Sequence, residues 1–306
     1  MHRLSRLWLA HLHRDRGASQ HTLRSYSSDL RLLEAHLVAR GLDPARAGRR
    51  DLRQWLASLG SPTSRPAPSS LARRVATLRS FYGWLHSEGH LDHNPAVRLR
   101  APKVPERVPR ILEVPETDAV VMNPPQSGVL AVRNRALLEL LYGSGLRVSE
   151  AVSLDWPDVD TGERLVRVRH GKGGKARLVP FGPPAAAALD VLLRNLPAEG
   201  ADGAPSLFRN HRGGRLSARS ARRIVGEAGD AAGVSKVHPH ALRHACATHM
   251  LTGGADLRSI QEQLGHESLA TTERYTRVDP AHLLRVYRAS HPRARTASDP
   301  SGPDDD

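Results

Sequence analysis

The chain has 306 residues, enough for about two domains; 39% of them are apolar and only 4% aromatic. It carries 45 basic against 31 acidic side chains, a formal charge of +14 that points to an anionic partner, most simply nucleic acid. A single cysteine, Cys246, excludes an intramolecular disulfide and a cysteine-based zinc module, and no apolar run approaches the roughly 18 residues of a membrane span.

The opening MHRLSRLWLAHLHRDR has an apolar stretch too short and too broken by histidine for a signal peptide. A soluble protein of a reducing compartment, the cytoplasm, is expected. The first hundred residues hold 17 arginines and 7 acids, net +10, and so carry the stronger electrostatic footprint. Within them Leu23, Tyr26, Leu30, Leu33 and Leu37 recur at helical spacing up to Gly41. Asp43-Pro44 reads as a cap and first turn. DLRQWLASLG forms a second helix, with Leu52, Trp55, Leu56 and Leu59 on one face. After the Pro-rich loop SPTSRPAPSS comes a third helix, ended by Gly89. Its apolar face carries Leu71, Val75, Leu78, Phe81 and Leu85, and its other face offers Arg73, Arg74 and Arg79. Helices with basic faces suit a small DNA-gripping bundle.

Four prolines in APKVPERVPRILEVP break helix and sheet, so 101–115 is expected to be an extended linker. The second part, 116–290, opens with the helical patterns RNRALLELLYGSG and LRVSEAVSL. Leu165, Val166 and Val168, interleaved with Arg167 and Arg169, then pair across a glycine-rich turn with Arg177-Leu178-Val179-Pro180. The result is a β-hairpin with Lys172 and Lys175 at its tip. From Pro183 onward the pattern is helical again. Residues 291–306, poor in apolar side chains, read as a disordered tail. There is no internal repeat.

Four segments of the second part carry polar chemistry. In GSGLRVSE, Arg147 follows a glycine turn; a salt bridge to Glu150 is an equally good reading. In HGKGGKAR, Lys172 sits at a turn that can enter a groove or merely be solvated. In VHPHALRHACATHML, Pro239 suits a first helical turn. His240 then lies near a helix N-terminus, which favours an anion, and Arg243 shares its face. His238, His240, His244 and His249 as zinc ligands are the weaker alternative; His244 and His249 suit packing, and Cys246 a small core position. In LGHESLATTERYTRV, His266 follows a helix-ending glycine and Tyr275 lies nine residues on, where packing is the ordinary role of a lone tyrosine.

Together, Arg, Lys, His, Arg, His and Tyr suit phosphoryl transfer at a DNA phosphodiester without metal. Guanidiniums neutralise charge on the non-bridging oxygens. A phenol attacks once a base takes its proton, and an ammonium protonates the leaving 5′-oxygen.

Arg147, Lys172, His240-x-x-Arg243, Leu264-Gly265-His266 and Tyr275, in this order, resemble the tyrosine recombinase (phage integrase) family. LRSYSSDL, TLRSFYGWL, EGHLDHNPAVRLRAPKVPERVPRIL and RVYRASHPRA extend the resemblance to its Xer branch over residues 5–293. The resemblance implies a mainly α fold: an N-terminal helical core-binding (SAM-like) bundle over 1–100 and a mostly helical catalytic domain with a small β-sheet over 116–290. It implies Tyr275 as nucleophile, forming a 3′-phosphotyrosyl bond. Arg147 and Arg243 would clamp the scissile phosphate, Lys172 would be general acid, His240 general base, and His266 a hydrogen-bond donor to the phosphate. Because the covalent link conserves bond energy, no cofactor, metal or ATP is implied for strand exchange. The implied partners are a double-stranded DNA recombination site, three further protomers in a tetramer, a paralogous Xer recombinase and a septal DNA translocase; no membrane is involved. The implied role is resolution of chromosome dimers at cell division. The helix around AHLLRVYRAS, with Leu283, Leu284, Val286 and Tyr287, would dock on a neighbouring protomer; packing on its own domain is the plainer alternative. A mobile-element integrase or resolvase, a type IB topoisomerase-like enzyme and a non-catalytic architectural DNA-binding protein are the alternatives.

Overall fold

The structure, a computed structural model, describes residues 1–60, 66–103, 110–169, 176–195, 205–265 and 280–294. The described residues form twelve α-helices and one small antiparallel sheet. The chain divides into two compact units, Met1–Val108 and Pro109–Asp306.

The first unit holds α1 (Arg3–Arg14), α2 (Gln20–Val38), α3 (Arg49–Ser58) and α4 (Pro68–Ser87). Ser19 caps α2 by accepting the Thr22 N–H at 3.1 Å, a contribution of about 1 kcal/mol. Asp43 does the same for a single 3₁₀ turn, Pro44–Arg46, accepting from Ala45 N–H at 2.8 Å. The helical leucines converge on one core with Trp8, Trp55, Phe81 and Tyr82. Trp8 stacks on Tyr26 at 5.4 Å and meets the edge of Phe81. The opening segment is therefore a structural helix. Full burial of each such side chain contributes about 2 kcal/mol. Arg73, Arg74 and Arg79 do not simply face outward. Arg73 and Arg74 turn to the buried Asp29, which also accepts from Thr77 at 3.0 Å. Arg79 donates to the Leu99 carbonyl.

The second unit begins with α5 (Val114–Met122), α6 (Gly128–Ser144) and α7 (Val148–Ser153). Expected linker residues 114 and 115 thus belong to a helix. Proline is at home in a first turn, and Glu116 reaches back to the Glu113 N–H at 3.1 Å. The sheet runs β1 (Val159–Asp160), β2 (Leu165–Val168), β3 (Arg177–Pro180), with Val166 opposite both Val159 and Val179. Then follow α8 (Pro183–Arg194), α9 (Ala218–Ala231), α10 (Pro239–Thr252), α11 (Leu257–Leu264) and α12 (Pro280–Ser290). Helix α6 is the axis of this unit: every residue from Ala136 to Ser144 is buried, as expected of a helix wrapped by others.

One further expectation is corrected. The tail does not begin at residue 291, because His291–Ala294 is folded. Residues 292–294 form a 3₁₀ turn, the His291 ring stacks on Tyr287 at 4.8 Å, and Arg293 pairs with Asp118 at 2.9 Å and the fully buried Glu139 at 3.2 Å. Those partners are distant in sequence, so local composition does not reveal them. Helix α12 lies on its own unit, with Leu283 and Tyr287 buried, the plainer of its two readings. Its seat is shaped by small residues. A Cβ at Gly182 would stand 3.1 Å from the Tyr287 hydroxyl, and one at Gly253 would collide with the Ser290 carbonyl.

Candidate functional site

Two helix ends build the site. Helix α6 stops at Gly145, which is left-handed at φ 65°, and α11 stops at Gly265, also at φ 65°. The last carbonyls of a helix lack intrahelical donors and lie at the negative end of its dipole. Here they take guanidinium hydrogens. Arg243, on the buried face of α10, donates from Nη1 to Gly145 O and from Nη2 to Leu264 O, both at 2.6 Å. Arg147, the residue before α7, donates from Nη2 to Gly265 O at 3.3 Å. Gly145 is required twice over: its backbone is left-handed, and a Cβ there would stand 2.7 Å from a Leu264 methyl and 3.1 Å from Cys246 Sγ.

Glu150 lies under the two arginines. It is buried and accepts from the Arg147 N–H at 2.8 Å and Arg147 Nη1 at 3.1 Å. Arg177, at the start of β3, reaches it from the other side with Nη1 at 3.0 Å and Nη2 at 3.1 Å. Burial pushes the Glu150 carboxyl up, but the hydrogen bonds and charge of Arg177, followed by those of Arg147, outweigh it and hold the group below the ordinary carboxylate range. Burial, and next the neighbouring Arg147, lower the Arg243 guanidinium to about 10, which leaves it charged at neutral pH. Three guanidiniums around one carboxylate leave a surplus of positive charge for an incoming anion.

The surplus opens into a cleft of about 430 Å³ lined by Arg147, Ser149, Arg222, His238, His240 and Arg243 among others. His238 caps α10 by accepting the Ala241 N–H at 3.0 Å, and Pro239 occupies the first turn. That places His240 at the exposed, positive end of the helix, its ring nearly parallel to that of His238. Burial, then the charge of His238 and Arg243, pushes the His240 imidazole below its ordinary value. The shift favours the neutral imidazole, which can accept a proton.

Arg147, His240 and Arg243 are thus brought together from α7 and α10. The other three expected site residues, Lys172, His266 and Tyr275, lie outside the described residues. The alternative reading of Arg147 is also true: its salt bridge to Glu150 forms and still leaves the guanidinium beside the cleft. His249 is a packing residue, as expected. It is buried between Tyr142 and Leu112 O, at 2.9 Å from each. Leu112 O only accepts, so Nε2 carries the hydrogen and Nδ1 takes the Tyr142 hydroxyl. Cys246 is fully buried. Sequence reasoning missed Arg177 and Arg222. Strand alternation says which face Arg177 occupies but not that Glu150 is opposite.

The phage integrase family model matches residues 105–282, and the model of the phage integrase N-terminal SAM-like domain matches residues 6–89. This chain belongs to the phage integrase family. It is a tyrosine recombinase of the Xer branch. Tyrosine recombinase XerC of Myxococcus xanthus is 45% identical over 93% of this chain and 96% of its own length. Tyrosine recombinase XerD of Mycobacterium tuberculosis is 43% identical over 94% and 97%. The crystal structure of a lambda integrase tetramer bound to a Holliday junction superposes with a TM-score of 0.65 at 21% identity, covering 89% of this chain and 79% of that one, and so shares the fold.

Proposed function

We propose that this tyrosine recombinase cuts and rejoins DNA at a defined site and resolves chromosome dimers at cell division, with Tyr275 as nucleophile. The observation that supports this most is the cleft: Arg147 and Arg243 sit at one opening, aimed by helix-end carbonyls. Pre-aimed donors of this kind stabilise charge as it develops on the non-bridging oxygens.

In this reading the Tyr275 phenol attacks the scissile phosphorus and passes its proton to His240. The bond from phosphorus to the 5′-oxygen breaks as Lys172 gives that oxygen a proton. The products are a 3′-phosphotyrosyl bond and a free 5′-hydroxyl, and His266 hydrogen-bonds the phosphate. A 5′-hydroxyl from the partner duplex then reverses the step and leaves a Holliday junction. Four protomers act on two sites, in the cytoplasm, with a paralogous recombinase as partner and a septal DNA translocase as activator. Kinship to XerC and XerD over nearly the whole chain favours the chromosomal role over that of a mobile-element enzyme.

Covalent trapping tests it. Wild type and Tyr275→Phe are mixed with nicked suicide duplexes carrying dimer-resolution sites, with and without the paralogue, and run on denaturing gels. An adduct with wild type alone is the expected result. An adduct that survives Tyr275→Phe, or none with wild type even when the paralogue is present, overturns the proposal.

A further inference from the structure

We propose that Arg177 is a positioning residue for strand cutting: paired by two bonds with Glu150 and hydrogen-bonded to the carbonyls that end α11, it fixes where Glu150 holds Arg147. The inference rests on the function proposed above.

Arg177 joins three pieces of the site. It is the first residue of β3, five residues after Lys172 in the chain. Its Nη1 and Nη2 take the two oxygens of Glu150, at 3.0 and 3.1 Å. Its Nε donates to Gln263 O at 3.3 Å and Nη2 also to Leu264 O at 3.5 Å. Those carbonyls belong to the α11 end, one and two residues before Gly265, and His266 follows Gly265 in the chain. Leu264 O is the same acceptor that aims Arg243. One guanidinium therefore touches the carboxylate beneath Arg147 and the helix end beneath Arg243.

The fit is close. A Cβ at Gly265 would stand 3.0 Å from Arg177 Cζ, so the left-handed glycine gives the planar group room to lie against the helix end. Only a planar fork can hold two carboxylate oxygens and also reach backbone carbonyls in this way. The groups facing Glu150 are Arg147 from its own helix end, Arg177 from β3 and Arg243 from α10. Arg177 has the largest share in keeping the carboxylate ionised, and an ionised Glu150 accepts from Arg147 with both oxygens. Without Arg177 the buried carboxyl protonates at higher pH and lets Arg147 drift. A misplacement of about 1 Å can cost roughly 100-fold in rate.

The test uses the full chain, as wild type, Arg177→Met, Arg177→Lys, Glu150→Gln and the double variant Arg177→Met/Glu150→Gln. The Glu150 carboxyl is titrated by NMR with carboxyl-labelled glutamate, Glu150→Gln supplying the assignment. Suicide-duplex cleavage is followed from pH 5.5 to 8.5, beside DNA binding. Arg177→Met is expected to titrate Glu150 at higher pH and to cleave roughly 100-fold more slowly, with DNA binding kept. The deficit deepens as pH falls, and this added pH dependence disappears in the double variant. Arg177→Lys, which keeps the charge but not the fork and is the better choice should Met unfold the protein, is expected to fall between. An unmoved Glu150 titration, wild-type cleavage in both Arg177 variants, or a deficit independent of pH and of Glu150 overturns the inference. The titration is read without cleavage, so it judges Arg177 even where wild type forms no adduct and the parent reading fails.

Discussion

The carbonyl oxygen of Gly145 accepts a hydrogen bond from Nη1 of Arg243 at 2.6 Å, across a sequence separation of 98 residues. The contact exists because α6 ends on a left-handed residue that turns its carbonyl away from the helix and toward α10. Gly145→Ala is expected to lower stability by about 2 kcal/mol or more, combining left-handed strain with overpacking against Leu264 and Cys246. Chemical denaturation reads the loss, and cleavage should fall with it as Arg243 shifts.

The two arginines should part company when removed. Arg147 is about a third exposed, so Arg147→Ala is expected to leave stability nearly unchanged. Arg243 is buried and bridges two carbonyls, so Arg243→Ala leaves those acceptors unpaired at a cost of about 1–3 kcal/mol. Both should keep DNA binding and lose cleavage by about 100-fold or more. Arg243→Lys restores charge but not the two-carbonyl bridge and should not rescue. Equal loss of binding and cleavage would make these residues structural only.

With His240 as the proposed base, the acid limb of cleavage is expected to report on its ring. Burial, then His238 and Arg243, lower its affinity for a proton. The limb should therefore lie below the ordinary imidazole value of about 6.5. His238→Asn keeps a good helix cap and removes the neighbouring imidazole, so the His240 titration should move up toward the ordinary value. An NMR pH titration of the His240 ring measures this, and an unmoved midpoint would rule out the electrostatic account.

The C-terminal turn should be acid-sensitive. Burial, and next the neighbouring His249, drive the His291 imidazole down to about 3. The unfolded chain binds a proton at about 6.5 and the folded one does not, so stability is full above that pH and is lost as pH falls toward 3, at about 1.4 kcal/mol per pH unit. His249, also lowered by burial, adds in the same direction. His291→Phe keeps a ring against Tyr287 and should flatten the fall in melting temperature between pH 6.5 and 4.5.

Much of this molecule can be read from local pattern. The helix ends at Gly41, Gly89 and Gly145, the first turn at Pro239 and the pairing of Val166 with Val179 all follow from short-range chemistry. What escapes are partners fixed by tertiary approach. Asp29 meets Arg73 across 44 residues, and Glu150 meets Arg177 across 27. Helical periodicity places each of these on a face without saying which charge waits there. Strand β1 is two residues long, too short to show any period. Helix α1 carries its core residue Trp8 among histidines and arginines, so its apolar stripe is narrow. The gathering of Arg147, His240 and Arg243 was legible through the resemblance of ordered motifs, and the carbonyls that aim them were not.

Asp29 also governs how salt should act on the first unit. Each phosphate neutralised on duplex DNA releases condensed counterions and steepens the fall of log affinity with log salt by about 0.9. Arg73 and Arg74 already share the Asp29 carboxylate, so they displace fewer ions from DNA than their number suggests. The salt slope of this unit is therefore shallower than its arginine content would give, and Asp29→Asn should steepen it.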